Sequence, residues 1–189
     1  MSYNIERLLS KRWNGKVKII TGIRCCGKSY LLSHLFKNRL LAENVPADYI
    51  LEIALDRREH ADLRDPNRLY AWVLQRLVDE SPYYLFIDEI QLSYKVRREG
   101  VDEGRIAPED RELAYISFYD ILNDLMARPN LDIYVTGSNS RMLSKDIATN
   151  FRDRGTELRM FPLSFAEYYA ASGLEQSCCA QSPSSIGRG

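Results

Sequence analysis

The segment Gly22–Ser29 constrains the fold of this chain more than any other part of the sequence. It reads Gly-Ile-Arg-Cys-Cys-Gly-Lys-Ser and matches the pattern G-x-x-x-x-G-K-[ST] at every fixed position. An apolar run ending at Thr21 precedes it, and apolar residues at helical spacing follow it as far as Leu41. A phosphate-binding loop needs this strand-to-helix position, because its backbone N–H groups and the positive end of the helix must face the same anion.

The residue types in this loop suit phosphate binding. The glycines let the backbone wrap an anion with its N–H groups pointing inward. Lys28 is predicted to reach the β- and γ-phosphates of a nucleotide, and Ser29 is predicted to supply a hydroxyl ligand to Mg²⁺. An ordinary glycine-rich turn is the alternative explanation. The predicted nucleotide-binding residues are Gly22, Ile23, Arg24, Cys25, Cys26, Gly27, Lys28 and Ser29.

A second motif follows, in which the apolar run Leu85-Phe86-Ile87 ends in two acidic residues. Asp88 is predicted to hold Mg²⁺, directly or through water, and Glu89 to act as general base on the attacking water, as in the Walker B motif. Strands often end in acidic turns, so this pattern alone is weak support for a Walker B motif. It becomes strong support because the Gly22–Ser29 loop precedes it. A second acidic residue beside the Walker B aspartate also suggests the branch of nucleotide hydrolases with an extra strand between the two motif strands.

Two further sites are open between two interpretations. Ser138 and Asn139 follow the apolar run that ends at Thr136. They are predicted either to contact the γ-phosphate, a role called sensor 1, or to cap the next helix. Arg154 precedes a glycine in Phe151–Gly155. It acts either as a finger on the nucleotide of a neighbouring subunit or as a partner in a surface ion pair.

Strand and helix patterns alternate along the chain, which predicts an α/β fold. We expect the three-layer sandwich of P-loop hydrolases, with a mostly parallel sheet flanked by helices on both faces. A charged stretch from Lys95 to Glu112 is predicted to be a long loop. Predicted strands cover residues 16–21, 49–55, 83–87, 131–136 and 157–161, and predicted helices begin before residue 16 and cover 29–41, 65–78, 113–126, 142–151 and a last segment from 164.

Composition narrows the classes of partner. The chain has 26 basic and 26 acidic residues, so no overall charge attracts it to nucleic acid or to a membrane. No apolar run is long enough to cross a bilayer, and the N-terminus lacks the apolar stretch of a signal peptide. A cytoplasmic location is therefore expected. The pairs Cys25-Cys26 and Cys178-Cys179 lack zinc-site spacing and are interpreted as free thiols, with redox sensitivity as the alternative for the first pair.

The motifs together resemble a known family. Gly22–Ser29, Ile87–Gln91, Tyr134–Ser144 and Phe161–Tyr168 occur in this order, over a span from Ile5 to Ser172. This set is similar to the prokaryotic AAA+-like P-loop ATPases whose N-terminal ATPase domain precedes a domain of the DUF4143 type. The resemblance implies an AAA-like fold, ATP, Mg²⁺ and ATP hydrolysis. It also implies the roles above for the matching residues, and Arg154 is the nearest match to the arginine before glycine in the later family motif.

The same resemblance and the composition of the last residues predict the domain organisation. Residues 1–173 are predicted to form the ATPase domain, and the small, polar residues 174–189 are predicted to be disordered. Family members continue well beyond Pro162-Leu163-Ser164-Phe165, so this chain is expected to be a fragment or a truncated product with weak turnover. ATP is favoured over GTP because no guanine-recognition motif is present.

Three functions are therefore considered: ATP hydrolysis, a nucleotide-dependent switch with negligible turnover, and a DNA-handling ATPase. The neutral net charge does not support the third. The partners expected besides ATP are further copies of the chain or a protein that the sequence does not identify.

Overall fold

We describe a computed structural model, which defines residues 2–101, 107–137 and 155–161. Five strands form one sheet in the order β2-β3-β6-β1-β7, and every adjacent pair is parallel. Two short strands, β4 and β5, form a separate antiparallel hairpin. The strands are β1 (Val17–Thr21), β2 (Ile50–Ala54), β3 (Tyr83–Asp88), β4 (Val96–Arg97), β5 (Tyr115–Ile116), β6 (Leu131–Gly137) and β7 (Gly155–Arg159).

Strand β6 lies between β1 and β3, although it comes after both in the chain. Ile20 on β1 is level with Thr136 on β6, and Ile87 on β3 is level with Val135. The sequence prediction of an extra strand between the two motif strands is therefore confirmed. Because all five strands are parallel, the carboxyl ends of β1, β3 and β6 lie at the same edge of the sheet.

Helices cover both faces of the sheet. One continuous helical run begins at Lys28 and consists of α2, a π-helical segment at Leu31–Phe36, and α3. Short 3₁₀ turns occupy Ala47–Tyr49, Arg58–Arg64, Ile90–Leu92 and Pro108–Ala114. The α-helices are α1 (Ser2–Leu9), α2 (Lys28–Tyr30), α3 (Lys37–Ala42), α4 (Pro66–Leu74) and α5 (Phe118–Met126). The predicted three-layer α/β sandwich is confirmed.

The core lies in two layers, one on each face of the sheet. Strand β3 supplies both, since successive side chains of a strand point to opposite faces. Leu85 and Ile87 belong to the layer that α4 and α5 cover, whereas Tyr84 and Phe86 belong to the layer under α1 and the helical run after the loop. Phe36 packs against Phe86 with ring centroids 5.7 Å apart. A strand buried on both faces explains why residues 83–87 are almost wholly apolar.

A buried ion pair lies near the starts of the two central strands. Lys18 on β1 bonds to Asp132 on β6, and these side chains are 1% and 3% exposed. Asp132 also accepts from the hydroxyl of Tyr134 at 2.8 Å and from the backbone N–H of Trp13 at 3.2 Å. Burial lowers the pKa of Lys18, and Asp132 opposes that shift. Burial, followed by the Asp132 charge, raises the pKa of Tyr134.

The charged stretch from Lys95 to Glu112 is not one long loop, so that prediction is wrong. Val96 and Arg97 form β4, which pairs with β5, and Pro108–Ala114 forms a 3₁₀ turn. Exposed ion pairs flank this hairpin: Lys95 bonds to Glu112 at 2.7 Å, and Arg98 reaches Asp120 on α5 at 3.1 Å. Strands of two residues are too short to produce a readable periodicity.

Two predicted helix boundaries are also wrong. Helix α5 begins at Phe118 rather than near residue 113, because Ser117 and Asp120 form a capping box that fixes the first turn. Helix α4 begins as predicted, with Asp65 accepting from the N–H groups of Asn67 and Arg68. It ends at Leu74, four residues before Val78, whose side chain is 79% exposed.

Some sequence predictions fall outside the described residues. These are the helices at 142–151 and from 164, and the polar tail at 174–189. Within the described ranges, no helix combines the length and the apolar character needed to cross a membrane.

Candidate functional site

The loop after β1 turns sharply before the helix. Thr21 ends β1, and Cys25 and Gly27 adopt the left-handed backbone conformation with φ of 61° and 90°. The helical run then begins at Lys28, and its first turn closes through the N–H of Leu31 to the carbonyl of Gly27 at 2.8 Å. Glycine takes this conformation without steric cost, so the second glycine of the motif stands where the backbone needs it.

Lys28 lies inside the curve of this loop. Its side chain is 4% exposed, and its ammonium donates to the carbonyls of Gly22 at 3.1 Å and Ile23 at 2.9 Å. The Sγ of Cys26 lies 3.8 Å away. These partners carry no full negative charge, so the loop holds a buried cation among its own dipoles. An anion that enters the loop would therefore not have to displace a negatively charged partner of Lys28 at these contacts.

Gly22 packs so closely that it has no room for a side chain. A Cβ atom at this position would lie 2.7 Å from the Sγ of Cys26 and 2.7 Å from the carbonyl oxygen of Met160. The backbone of Met160 is itself fixed, since its N–H donates to the carbonyl of Thr21 at 2.7 Å. The first glycine of the motif thus permits the close approach of the loop to the segment after β7.

The end of β3 presents the two acidic residues of the second motif. Both Asp88 and Glu89 are half-buried, and the backbone of Glu89 is left-handed with φ of 55° and ψ of 48°. This conformation costs a residue with a Cβ about 1–2 kcal/mol. The side-chain amide of Gln91 donates to the Glu89 carboxylate. The carbonyl of Asp88 accepts from the N–H of Leu55 at 3.1 Å and so ties β3 to the end of β2.

Thr136 on β6 joins the two acidic residues, although it is not among the predicted site residues. Its hydroxyl donates to the Oδ1 of Asp88 and accepts from the backbone N–H of Glu89 at 3.1 Å. The side chain is fully buried. The only sequence signal for Thr136 was a hydroxyl residue at the end of an apolar strand. The polar residues Ser138 and Asn139 come soon after it, and the sensor role was predicted for them instead.

A cleft of about 460 Å³ brings parts of both motifs together. Ser29 and Asp88, the predicted Mg²⁺ ligands, both line it. Lys37 and Glu52 bond to each other within it. The ring of His60 contacts the N–H and the carbonyl of Ala54, at 3.0 and 3.2 Å. The lining is completed by Leu32, Ser33, His34, Ile53, Asp56, Arg57 and Phe86.

The remaining predicted residues divide into two groups. Ile23, Arg24 and Cys25 are exposed on the loop, whereas Cys26 is buried. The second group, which comprises Ser138, Asn139 and Arg154, lies outside the described residues, so the sensor and arginine-finger roles stay predictions.

The described residues hold no group of three or more His, Cys, Asp or Glu side chains placed to bind a metal. A site with Ser29 and Asp88 would therefore need other oxygen ligands. Mg²⁺ accepts such a site, because it is usually bound by one or two protein ligands together with substrate phosphates and water.

Comparison with known proteins gives a family and a fold. A family model described as "AAA domain" matches residues 14–169. An uncharacterized protein of Haemophilus influenzae is 26% identical over 172 residues, which cover 90% of this chain and 37% of that protein. An uncharacterized protein of Methanocaldococcus jannaschii is 31% identical over 157 residues, which cover 81% of this chain and 28% of that protein. The chain thus spans about a third of the length of these curated relatives.

The fold also occurs in a solved structure. The Aeropyrum pernix ORC1 protein in complex with DNA aligns with a TM-score of 0.51 and 14% identity, over 88% of this chain and 46% of that chain. At this identity the likeness concerns the fold alone.

Proposed function

This chain belongs to the AAA domain family and has the fold of nucleotide-binding P-loop ATPases, and on that basis we propose that it binds Mg-ATP and hydrolyses the terminal phosphoanhydride. One observation carries the proposal. The loop holds the buried ammonium of Lys28, while Ser29 from the same loop and Asp88 from β3 line a single cleft, with Glu89 next in the chain. Phosphate-binding, metal-binding and proton-accepting groups are thereby gathered at one edge of the sheet.

In this proposal the loop binds the phosphates by exchanging partners. The ammonium of Lys28 now donates to the neutral carbonyls of Gly22 and Ile23. Phosphate oxygens are stronger acceptors because they are charged, so they would replace those carbonyls. The start of the helical run at Lys28 adds the partial positive charge of unpaired N–H groups. Binding then needs a change of the loop around Lys28 and no change of the sheet.

The donor set fits Mg²⁺. A serine hydroxyl and an aspartate carboxylate are hard oxygen ligands, and Ser29 and Asp88 line the same cleft. When bound there, the ion would neutralise part of the charge that develops on the phosphate oxygens. The hydroxyl of Thr136 donates to Oδ1 of Asp88 and so holds this carboxylate in place.

Glu89 would act on the attacking water. Its carboxylate accepts a proton while the water oxygen forms a bond to the γ-phosphorus and the bond to the bridging β–γ oxygen breaks, which yields ADP and phosphate. The proton then passes to solvent. In the described conformation the amide of Gln91 donates to this carboxylate. That bond goes to Oε2 and leaves Oε1 of Glu89 to accept the proton.

We expect Lys28→Ala to weaken the binding of a fluorescent ATP analogue by about 10- to 150-fold. The change removes charge-assisted hydrogen bonds of about 1.5–3 kcal/mol to the phosphates. Titration by fluorescence anisotropy measures the effect. Lys95→Ala is the control, because Lys95 is half-exposed on the β4–β5 hairpin and pairs with Glu112. Equal affinity of Lys28→Ala and the unsubstituted protein would contradict the role of the loop.

We expect Gly22→Ala to weaken the same binding by about 5- to 150-fold. The new Cβ would clash with the carbonyl of Met160 and the Sγ of Cys26, so the loop must shift away from the segment after β7. Overpacking of this kind costs about 1–3 kcal/mol. Gly15→Ala is the matched control, since Gly15 has φ of +69° but nothing within 4 Å. The control should lower the melting temperature and leave the affinity unchanged, and a parallel loss of affinity in both variants would refute the steric argument.

A nucleotide-dependent switch is the second candidate, and one observation favours it. The amide of Gln91 donates to Oε2 of Glu89, which ties the side chain of the proposed base to its own segment of the chain. If this contact persists with nucleotide bound, ATP would set a conformation without being turned over. Phosphate release by the unsubstituted protein decides between the two, because a switch would release phosphate no faster than the Glu89→Gln variant.

A further inference from the structure

Thr136 is a polar residue at the centre of the sheet. It lies on β6 and is level with Ile20 on β1. The next pair of residues, Thr21 with Gly137, is the last pair between these two strands. The side chain has no exposed surface. Buried hydroxyls usually form hydrogen bonds, and here the two bonds go to Asp88, the last residue of β3, and to Glu89, which follows it.

The first bond fixes the carboxylate of Asp88. A threonine hydroxyl has one hydrogen to donate, and Thr136 donates it to Oδ1. Oδ2 is then the oxygen of Asp88 that this bond leaves available for a cation. Outer hydrogen bonds of this kind orient the metal-binding side chain and raise its affinity for the ion.

The second bond fixes the backbone of Glu89. The lone pair of the same hydroxyl accepts the N–H of Glu89 at 3.1 Å. Glu89 stands in the left-handed conformation, which a residue with a side chain adopts only when its surroundings hold it there. Ile90, which follows, is fully buried and anchors the other side. The direction of the Glu89 side chain therefore depends on the Thr136 hydroxyl.

We propose that Thr136 is a positioning residue for both Asp88 and Glu89. One hydroxyl orients the proposed metal ligand and the proposed base at the same time. The inference rests on the proposed function for the roles of those two residues. Its structural basis is separate, since one hydroxyl serves as donor to Asp88 and as acceptor from Glu89. Valine has the shape of threonine but can supply neither bond, whereas serine can supply both.

The test compares Thr136→Val with Thr136→Ser. Two quantities are measured: the affinity for Mn²⁺ in the presence of a non-hydrolysable ATP analogue, by electron paramagnetic resonance, and kcat and KM for Mg-ATP. We expect Thr136→Val to weaken Mn²⁺ binding and to lower kcat by about 10- to 100-fold each. KM should stay within about threefold, because the phosphate loop is untouched. Thr136→Ser should recover most of both losses.

Thr21→Val is the matched control. Thr21 is an equally buried threonine on the neighbouring strand, and its hydroxyl donates to Glu157 at 2.6 Å instead of to the acidic pair. We expect it to lower the melting temperature about as much as Thr136→Val does, with Mn²⁺ affinity and kcat close to those of the unsubstituted protein.

Three outcomes decide the matter. Unchanged Mn²⁺ affinity and kcat in Thr136→Val would overturn the inference. Equal damage in the serine and valine variants would overturn it as well, because packing of the methyl group and not the hydroxyl would then matter. If the unsubstituted protein does not hydrolyse ATP but Thr136→Val still weakens Mn²⁺ binding, hydrolysis fails as the function while the positioning role stands.

Discussion

Replacing Glu89 with glutamine is expected to lower phosphate release from Mg-ATP by about 100- to 10,000-fold, the usual contribution of a general base. The amide has nearly the shape of the carboxylate but cannot take the proton of the attacking water. Nucleotide affinity should stay within about threefold, because Lys28 and Ser29 on the phosphate loop are unaltered. A coupled assay of free phosphate gives the rate, and anisotropy with a fluorescent ATP analogue gives the affinity.

Glu59→Gln is the control for this experiment, since Glu59 is exposed and pairs only loosely with Arg57 at 3.4 Å. It should keep both rate and affinity. If the unsubstituted protein is active and Glu89→Gln releases phosphate at the same rate, Glu89 is not the base. If neither protein releases phosphate while both bind nucleotide, the switch replaces the hydrolase as the better description.

Asp132→Ala is expected to lower the free energy of unfolding by about 3–5 kcal/mol, because it leaves the ammonium of Lys18 buried without a counter-charge. The same change removes the acceptor of the Tyr134 hydroxyl and of the Trp13 backbone N–H. A domain is typically stable by about 5–15 kcal/mol, so a large part of that stability is at stake. Urea denaturation followed by circular dichroism measures the change.

Asp62→Ala gives the matched comparison. Asp62 also pairs with a basic side chain, that of Arg68 at 3.3 Å, but these side chains are 84% and 63% exposed. Exposed pairs contribute about 0–1 kcal/mol, so this variant should unfold almost as the unsubstituted protein does. In the Asp132→Ala background, Lys18→Met should recover part of the loss. Similar losses in the two aspartate variants would show that burial of the ion pair does not matter to stability.

The sequence predicted those parts of the site that lie close together along the chain. Residues 22–29 form a local motif, so their strand-to-helix position could be inferred from spacing alone. The apolar run of β3 indicated a strand buried on both faces, and the acidic pair beside it suggested an inserted strand, which is β6. In each case neighbouring residues carry the information.

The parts that escaped prediction depend on contacts between distant residues. Thr136 reaches Asp88 because β6 pairs with β3, and no local pattern reports which residues of two strands face each other. The β4–β5 hairpin likewise pairs residues that are distant in the chain, as in Val96 with Ile116. Apolar residues before Ser117 mimicked helical spacing, although the capping box sets the start of α5.

The strand order also bears on how the protein is made. Strand β1 has β6 and β7 as its neighbours, and the 109 residues between Thr21 and Leu131 must be synthesised before β6 even begins. At about 5–20 residues per second this takes roughly 5–20 s, during which the strand that carries the phosphate loop has no partner in the sheet. Such distant pairings make folding slow. The proposed nucleotide site is therefore expected to be among the last of the described parts to form during synthesis, after β1 has paired with β6.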